Sequence, residues 1–344
     1  MTAWRTYADP PQSDPGLSRS ERTSLARARR QAIGFADALR TSGSEYVVWM
    51  CADALDAVVG PEGPVLDAAH VDDCLPGPWE SDLLDLAARQ GMGGRAAEAM
   101  AEGYQLGIAA IAAEPLHAAR AEALRRSRAL ARSVSSAAAQ SSATAVRRLV
   151  SPGARLRRDR IAARWGGEVH AVADLGSEVA QYRESLPEAY ARLLAQYRVA
   201  DAVAADDGRL LVLLARGSDG EDALLLEATP AEPSSREASF GAWRDGSDVQ
   251  RVLLAREAVP LVPSEFAGWS TSADGSVARV WSRARAATAR PDLGGRRASA
   301  RRLGAALGLL HAVNGDAASL AGYVGHSRKF PAAVRDAVLS VRED

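Results

Sequence analysis

Glu45-Tyr46-Val47-Val48-Trp49-Met50-Cys51-Ala52-Asp53 and, beyond a Gly60-Pro61-Glu62-Gly63-Pro64 turn, Val65-Leu66-Asp67-Ala68-Ala69-His70-Val71-Asp72-Asp73 are the segments on which the fold turns. The first is a near-continuous run of apolar, β-branched and aromatic residues, the pattern of a short strand buried on both faces. The second starts another short strand at Val65-Leu66. Both run into carboxylates. Set among long helical stretches, they predict an α+β fold with a site at a sheet edge. If the two strands are neighbours, Asp53 and Asp56 converge with Asp67, His70, Asp72 and Asp73. Crowded carboxylates raise one another's pKa. They can then act as general bases, or hold a cation or a substrate ammonium. The competing reading is turn and cap chemistry, which aspartate performs in any fold.

Working outward, residues 1–19 are rich in Pro, Ser, Asp and Gly and read as a disordered arm. From Ser20 to Thr41 the stripe Leu25, Ala28, Ala32, Phe35 and Leu39 predicts a helix. Leu75-Pro76-Gly77-Pro78 reads as a chain break, after which Ser81 or Asp82 caps a helix through Leu83, Leu84, Leu86 and Ala87. Residues 93–150 read as helical with an interruption near Pro115, and the basic stretch Arg147–Arg164 as a solvated face or linker. A helix around Leu186–Tyr197 precedes a second β-region. There Leu210–Leu214 and Ala223–Leu226 flank Gly217-Ser218-Asp219-Gly220 as a hairpin. Gln250–Ala258 reads as a helix, Val277–Trp281 as a strand, and Ala298–His311, Ala317–Val324 and Pro331 onward as closing helices. The expected organisation is an arm (1–19), a helical lobe with the acidic strand-end site (20–165), a smaller β-rich lobe (166–295) and C-terminal helices packing back on the site (296–344).

Composition narrows the function. The 344 residues carry a formal charge of -1, against a strongly basic nucleic-acid binder. The arginines of 147–164 are not interleaved with aromatics, which weakens that reading further. Two cysteines make neither a disulfide scaffold nor a four-cysteine zinc site. No apolar run is long enough to span a bilayer, and the N-terminus lacks the apolar core of a signal peptide, so a cytoplasmic location is expected. Of the 42 lysines and arginines only Lys329 is a lysine. Schiff-base chemistry, a Walker-type loop and a standard kinase lysine all lose support together. Neither a G-x-S-x-G elbow nor a dinucleotide fingerprint occurs. His311, in Leu309-Leu310-His311-Ala312-Val313-Asn314-Gly315-Asp316, is either a buried structural residue or faces the acidic site with Asp316 beside it. His117, His170 and His326 read as surface residues.

Met50-Cys51-Ala52-Asp53-Ala54-Leu55, Leu66-Asp67, and Val71-Asp72-Asp73-Cys74-Leu75-Pro76-Gly77-Pro78-Trp79-Glu80-Ser81-Asp82 resemble the bacterial DUF2252 family, whose members read C-G-D-A-H-x-x-N-F-G, F-D-x-N-D-F-D-E and L-P-G-P-F-E-W-D. The resemblance continues through Gln250-Arg251-Val252, Ser264–Trp269, His311-Ala312 with Gly315-Asp316, and Ala321-Gly322-Tyr323-Val324-Gly325. It implies a two-lobed protein-kinase-like fold with permuted motifs, related to aminoglycoside phosphotransferases, and hence ATP, magnesium and phosphoryl transfer. This sequence departs from that pattern at the positions the reaction uses. Asp53 stands where the catalytic base belongs. Val58 occupies the metal-binding asparagine position, and His70 that of the first metal-loop aspartate. Ala200–Asp206 replaces the glycine-rich strand, and Thr229 the lysine. Phosphoryl transfer depends on positioning and charge neutralisation, so these losses together predict a protein that is not a working kinase.

The expectation is therefore a repurposed enzyme of bacterial specialised metabolism. It would apply carboxylate and imidazole acid–base chemistry to a small substrate bearing an amine, without metal or cofactor. Asp53, His70, Asp72 and Asp73 are the candidate catalytic groups. Glu80, Asp82, Arg251, Trp281, Arg283, His311 and Asp316 are the candidate substrate contacts. Intramolecular displacement by the amine, as in aziridine closure with loss of sulfate, suits such a site. Arg251, Arg279, Arg283 and Arg285 are the candidates to receive the anion. The alternatives are a catalytically dead pseudokinase-like scaffold with a partner chain or second copy, and an ATP-dependent small-molecule phosphotransferase.

Overall fold

A computed structural model describes residues 47–52, 54–60, 63–132, 148–151, 153–217, 222–284 and 297–343. The expected arm and first helix, Asp53 and Arg285 lie outside them. The fold is α+β.

The buried run is strand β1 (Val47–Met50). It does not pair with the second acidic strand. Leu55–Gly60 (β2) forms a hairpin with Gly63–Ala68 (β3), and β1 pairs antiparallel with Leu75–Pro78 (β4). The segment expected to be a break is thus a strand. A two-stranded ribbon leaves one edge of β4 without a ladder, so Pro76 and Pro78 can sit there without their missing N–H groups being called upon. Gly77 faces Met50: a Cβ there would lie 2.5 Å from Met50 Cε, and the end of that side chain would have to turn aside. Helix α1 (Trp79–Arg89) follows without a side-chain cap. Ser81 and Asp82 lie inside its first turns, both fully buried, rather than at its start.

Helices α2 (Gly94–Ala112) and α3 (Leu116–Arg132) follow. Next come the short pair β5 (Val150–Ser151) and β6 (Arg155–Leu156), helix α4 (Arg158–Trp165), strand β7 (Val169–Ala171), and helices α5 (Gly176–Glu184) and α6 (Glu188–Leu194). Strands β8 (Arg198–Ala205), β9 (Leu210–Arg216) and β10 (Asp222–Pro230) precede helices α7 (Glu237–Phe240) and α8 (Asp248–Ala258). Strands β11 (Gly268–Thr271) and β12 (Ala278–Arg283) complete an antiparallel sheet of order β11-β12-β10-β9-β8-β7. The chain closes with α9 (Arg297–Asn314), α10 (Ala317–Val324) and α11 (Lys329–Glu343).

Leu210-Leu211-Val212-Leu213-Leu214 shows why β9 lacks polar alternation. Leu210, Val212 and Leu214 pack with Tyr182, Leu186 and Trp281 on one face. Leu211 and Leu213 pack with Ile161 and Leu156 on the other. Both faces are covered, so both parities are apolar.

The helical core is organised by the crossing of α2 and α9. Gly103 and Gly107 face α9, and Gly304 and Gly308 face α2. A Cβ on Gly103 would fall 1.9 Å from Arg301 O, and one on Gly304 would fall 1.9 Å from Met100 O. The two backbones meet at a distance only glycine permits. This contact carries Tyr104 of α2 and His311 of α9 into the same buried layer.

Candidate functional site

The acidic strand ends are mostly anchors for residues 229–262, which follow the sheet. Asp67, fully buried, accepts from Leu261 N at 2.7 Å and Val262 N at 2.9 Å. Asp73 accepts from Ser235 N, Ser235 Oγ and Ser234 Oγ at 2.6–3.0 Å. Arg251, also buried, donates to the carbonyls of Asp72, Cys74 and Glu232 and pairs with Asp248. Asp73, a candidate catalytic group, and Arg251, a candidate substrate contact, join the 67–85 region to the segment leaving β10. Asp73 meets Ser235 162 positions downstream, and Arg251 meets the Asp72 carbonyl 179 positions upstream.

Asp72 does face a cleft, lined also by His70, Glu227, Thr229, Arg256 and Arg283. It holds about 50 Å³, room for a water or two rather than a nucleotide. Arg256 Nη2 lies 2.8 Å from Asp72 Oδ1, and the Thr229 hydroxyl donates to Oδ2 at 3.0 Å. Burial would raise this carboxyl, but the Arg256 charge and hydrogen bond, with Thr229 and His70, outweigh it and hold it below the usual aspartate value. An ion-paired, acidified carboxylate is a poor proton acceptor at neutral pH. His70 is exposed at the cleft edge, and Arg283 pairs with Glu265.

Three other expected contacts sit apart from this cleft. Trp281 is buried in the sheet core, stacked on Tyr182 with its Nε1–H on Ser270 Oγ. Arg279 Nη1 lies 3.0 and 2.9 Å from the two carboxylate oxygens of buried Glu178. Asp316 caps α10 through Ala318 N and Ser319 N. In this structure their contacts are local packing, pairing and capping.

Asp82 and His311 are brought together, but in a sealed network. Asp82 Oδ2 accepts from the backbone N–H of Cys51 and of Ala52 and lies 3.0 Å from His311 Nε2. His311 Nδ1 is 2.8 Å from the Tyr104 hydroxyl. On the other side Arg236 Nη1 lies 3.2 Å from Asp82 Oδ1 and 3.3 Å from Asp85 Oδ2. All of these side chains are fully buried. Burial, and then the carboxylates of Glu80 and Asp82, hold the Tyr104 phenol well above its ordinary pKa. The phenol therefore donates to Nδ1 while Nε2–H donates to Asp82. The Cys51 thiol, Asp82 and His311 also approach closely enough to suggest metal ligands. The carboxylate already serves two N–H groups, an imidazole and a guanidinium, so the set fits a structural network better than a cation site.

Glu80 stands outside this network and lines a cavity. It is 6% exposed, and its Oε1 has no hydrogen-bond partner. Burial pushes its carboxyl from 4.5 up to about 7, only partly offset by its own backbone N–H. It lines a cavity of about 350 Å³ between α1 and the α10–α11 corner. Trp79, Tyr323 and Phe330 form the aromatic wall, with Trp79 centroid distances of 5.4 Å to Tyr323 and 5.8 Å to Phe330. Leu83, Leu84 and Val334 are aliphatic, and Lys329 stands at the exposed rim. Trp79 stacks in turn on Tyr104, joining the wall to the buried network.

A family model described as "Uncharacterized protein conserved in bacteria (DUF2252)" matches residues 31–343. The chain belongs to the DUF2252 family. No curated protein and no solved structure matches this DUF2252 chain. None of its described helices is long and apolar enough to cross a membrane. Among the candidates named from the sequence of this DUF2252 member, His70, Asp72 and Arg283 share the small cleft, Asp82 and His311 share the buried network, and Glu80 alone lines the larger cavity. Tyr323, Phe330 and Lys329 are additions from the structure. Glu80 and the aromatic wall come from segments far apart in the chain, and only the short Pro78-Trp79-Glu80 and Gly322-Tyr323 runs hint at them.

Proposed function

We propose that this DUF2252 member is a cytoplasmic acid–base enzyme acting on a small molecule with an amine, on a two-lobed kinase-like frame whose phosphate-holding groups are gone. Glu80 carries the reading: a buried carboxyl with pKa about 7 and an oxygen without a partner, in an aromatic-walled cavity. A carboxyl poised at neutrality exchanges a proton with an ammonium group readily. The ionised form attracts the ammonium, and the aromatic faces Trp79, Tyr323 and Phe330 add cation–π attraction. Proton transfer to Glu80 then leaves a neutral amine and a neutral carboxyl. The Tyr104–His311–Asp82 chain behind Trp79 keeps that wall fixed. Loss of phosphate chemistry is supported by the 50 Å³ cleft and by Thr229 and Arg256 closing on Asp72.

Thermal shift and calorimetry on the full chain test this. Arylalkylamines should stabilise the wild type, and Glu80→Gln should abolish the effect; Mg-ATP should shift neither. A Mg-ATP shift that survives Glu80→Gln, with no response to amines, overturns the proposal. Amine binding with no chemical change in any amine tested leaves the cavity as a binding site and removes the enzymatic part.

A further inference from the structure

Resting on that reading, we infer that the natural ligand is dipolar: a protonated amine at Glu80, an apolar body along the aromatic wall, and an anionic group at Lys329. Two side chains of opposite charge line the cavity. Glu80 is buried at one part of the lining, and Lys329, with Ser327 beside it, stands at the solvent edge. The rest of the lining, with Trp79, Leu83, Leu84, Phe330 and Val334, has no other charged side chain. No ion pair to Lys329 is present among the described residues, in contrast to Arg283, Arg279 and Arg256, which all have carboxylate partners. An ammonium held by a flexible stem at a rim is a point charge suited to a carboxylate or similar oxyanion. An amine alone leaves that charge unanswered, and an anion alone leaves the Glu80 carboxyl unanswered. A ligand with both, separated by apolar atoms, answers both and buries its middle against the rings.

The inference is tested with ω-aminoalkanoates, alkylamines and alkanoates of matched chain length, by calorimetry on wild type, Lys329→Met and Glu80→Gln. In the wild type the best ω-aminoalkanoate should bind about tenfold more tightly than the amine of the same length. Lys329→Met should remove that gain while leaving amine affinity unchanged; Glu80→Gln should weaken amine and aminoalkanoate alike. Because Lys329 is the only lysine, acylation by acetic anhydride read on its peptide gives an independent measurement. The aminoalkanoate should protect the ε-amine, and the plain amine should not. Equal affinities for amine and aminoalkanoate, or a gain that persists in Lys329→Met, overturn the dipolar inference alone. Failure of every amine to bind overturns the reading beneath it.

Discussion

Replacing Glu80 by glutamine should change how stability depends on pH, by an amount the structure sets. In the unfolded chain Glu80 titrates at 4.5, and in the folded protein at about 7. Between these values the folded state holds a proton that the unfolded state has released, so stability falls as pH rises through this window. Below 4.5 both states are protonated and the penalty is absent; above about 7 both are ionised and it is constant. At 1.36 kcal/mol per unit the penalty reaches about 3 kcal/mol. Glutamine keeps the shape and cannot ionise. Urea unfolding at a series of pH values should show the two proteins nearly equal at the acid end. Glu80→Gln should gain steadily toward about 3 kcal/mol at neutrality and hold level above it. Parallel stability curves across the window refute the raised pKa, and with it the acid–base role.

Gly304→Ala would drive a methyl into Met100 O and force α2 and α9 apart; about 3 kcal/mol or more of stability should be lost, and a loss under about 0.5 kcal/mol in urea denaturation would contradict the glycine-only crossing. His311→Ala leaves the buried Tyr104 hydroxyl without its acceptor and removes one of the donors to Asp82, and should cost about 2–4 kcal/mol in the same assay. Thr229→Lys restores a cation at the position the family resemblance gives to lysine, yet thermal shift should show no response to Mg-ATP, because the cleft remains about 50 Å³ and Arg256 already holds Asp72. A clear nucleotide-induced shift in that variant would mean the cleft opens far more readily than its ion pair implies.

Local chemistry is legible where the sequence writes it locally. The apolar run at β1, the β9–β10 hairpin and α8 follow from pattern, and α8 carries the Ser247–Gln250 capping box that defines its start. Strand β4 does not, because prolines signal a break, and only pairing to β1 makes Pro76 and Pro78 tolerable. The partners of the acidic strand ends are not legible either. Asp67, Asp72 and Asp73 look like free carboxylates in one dimension, but their partners Val262, Arg256 and Ser235 arrive from more than 160 positions downstream. Gly103-Tyr104-Gln105-Leu106-Gly107 and Gly304-Ala305-Ala306-Leu307-Gly308 do carry a readable signal, paired four-residue glycine spacings on two helices. Glu80 is named from the sequence as a candidate substrate contact, but its aromatic surroundings are not legible there, since they depend on α10 and α11 folding back onto α1.

The most direct measurement is the affinity of one alkylamine across neutrality, by calorimetry, for wild type and Glu80→Gln. An ammonium recognised by the Glu80 carboxylate should bind about tenfold more tightly per pH unit up to about 7 and then level off, while the variant binds weakly at every pH. Wild-type affinity that is flat with pH, or equal in the two proteins, would contradict the account.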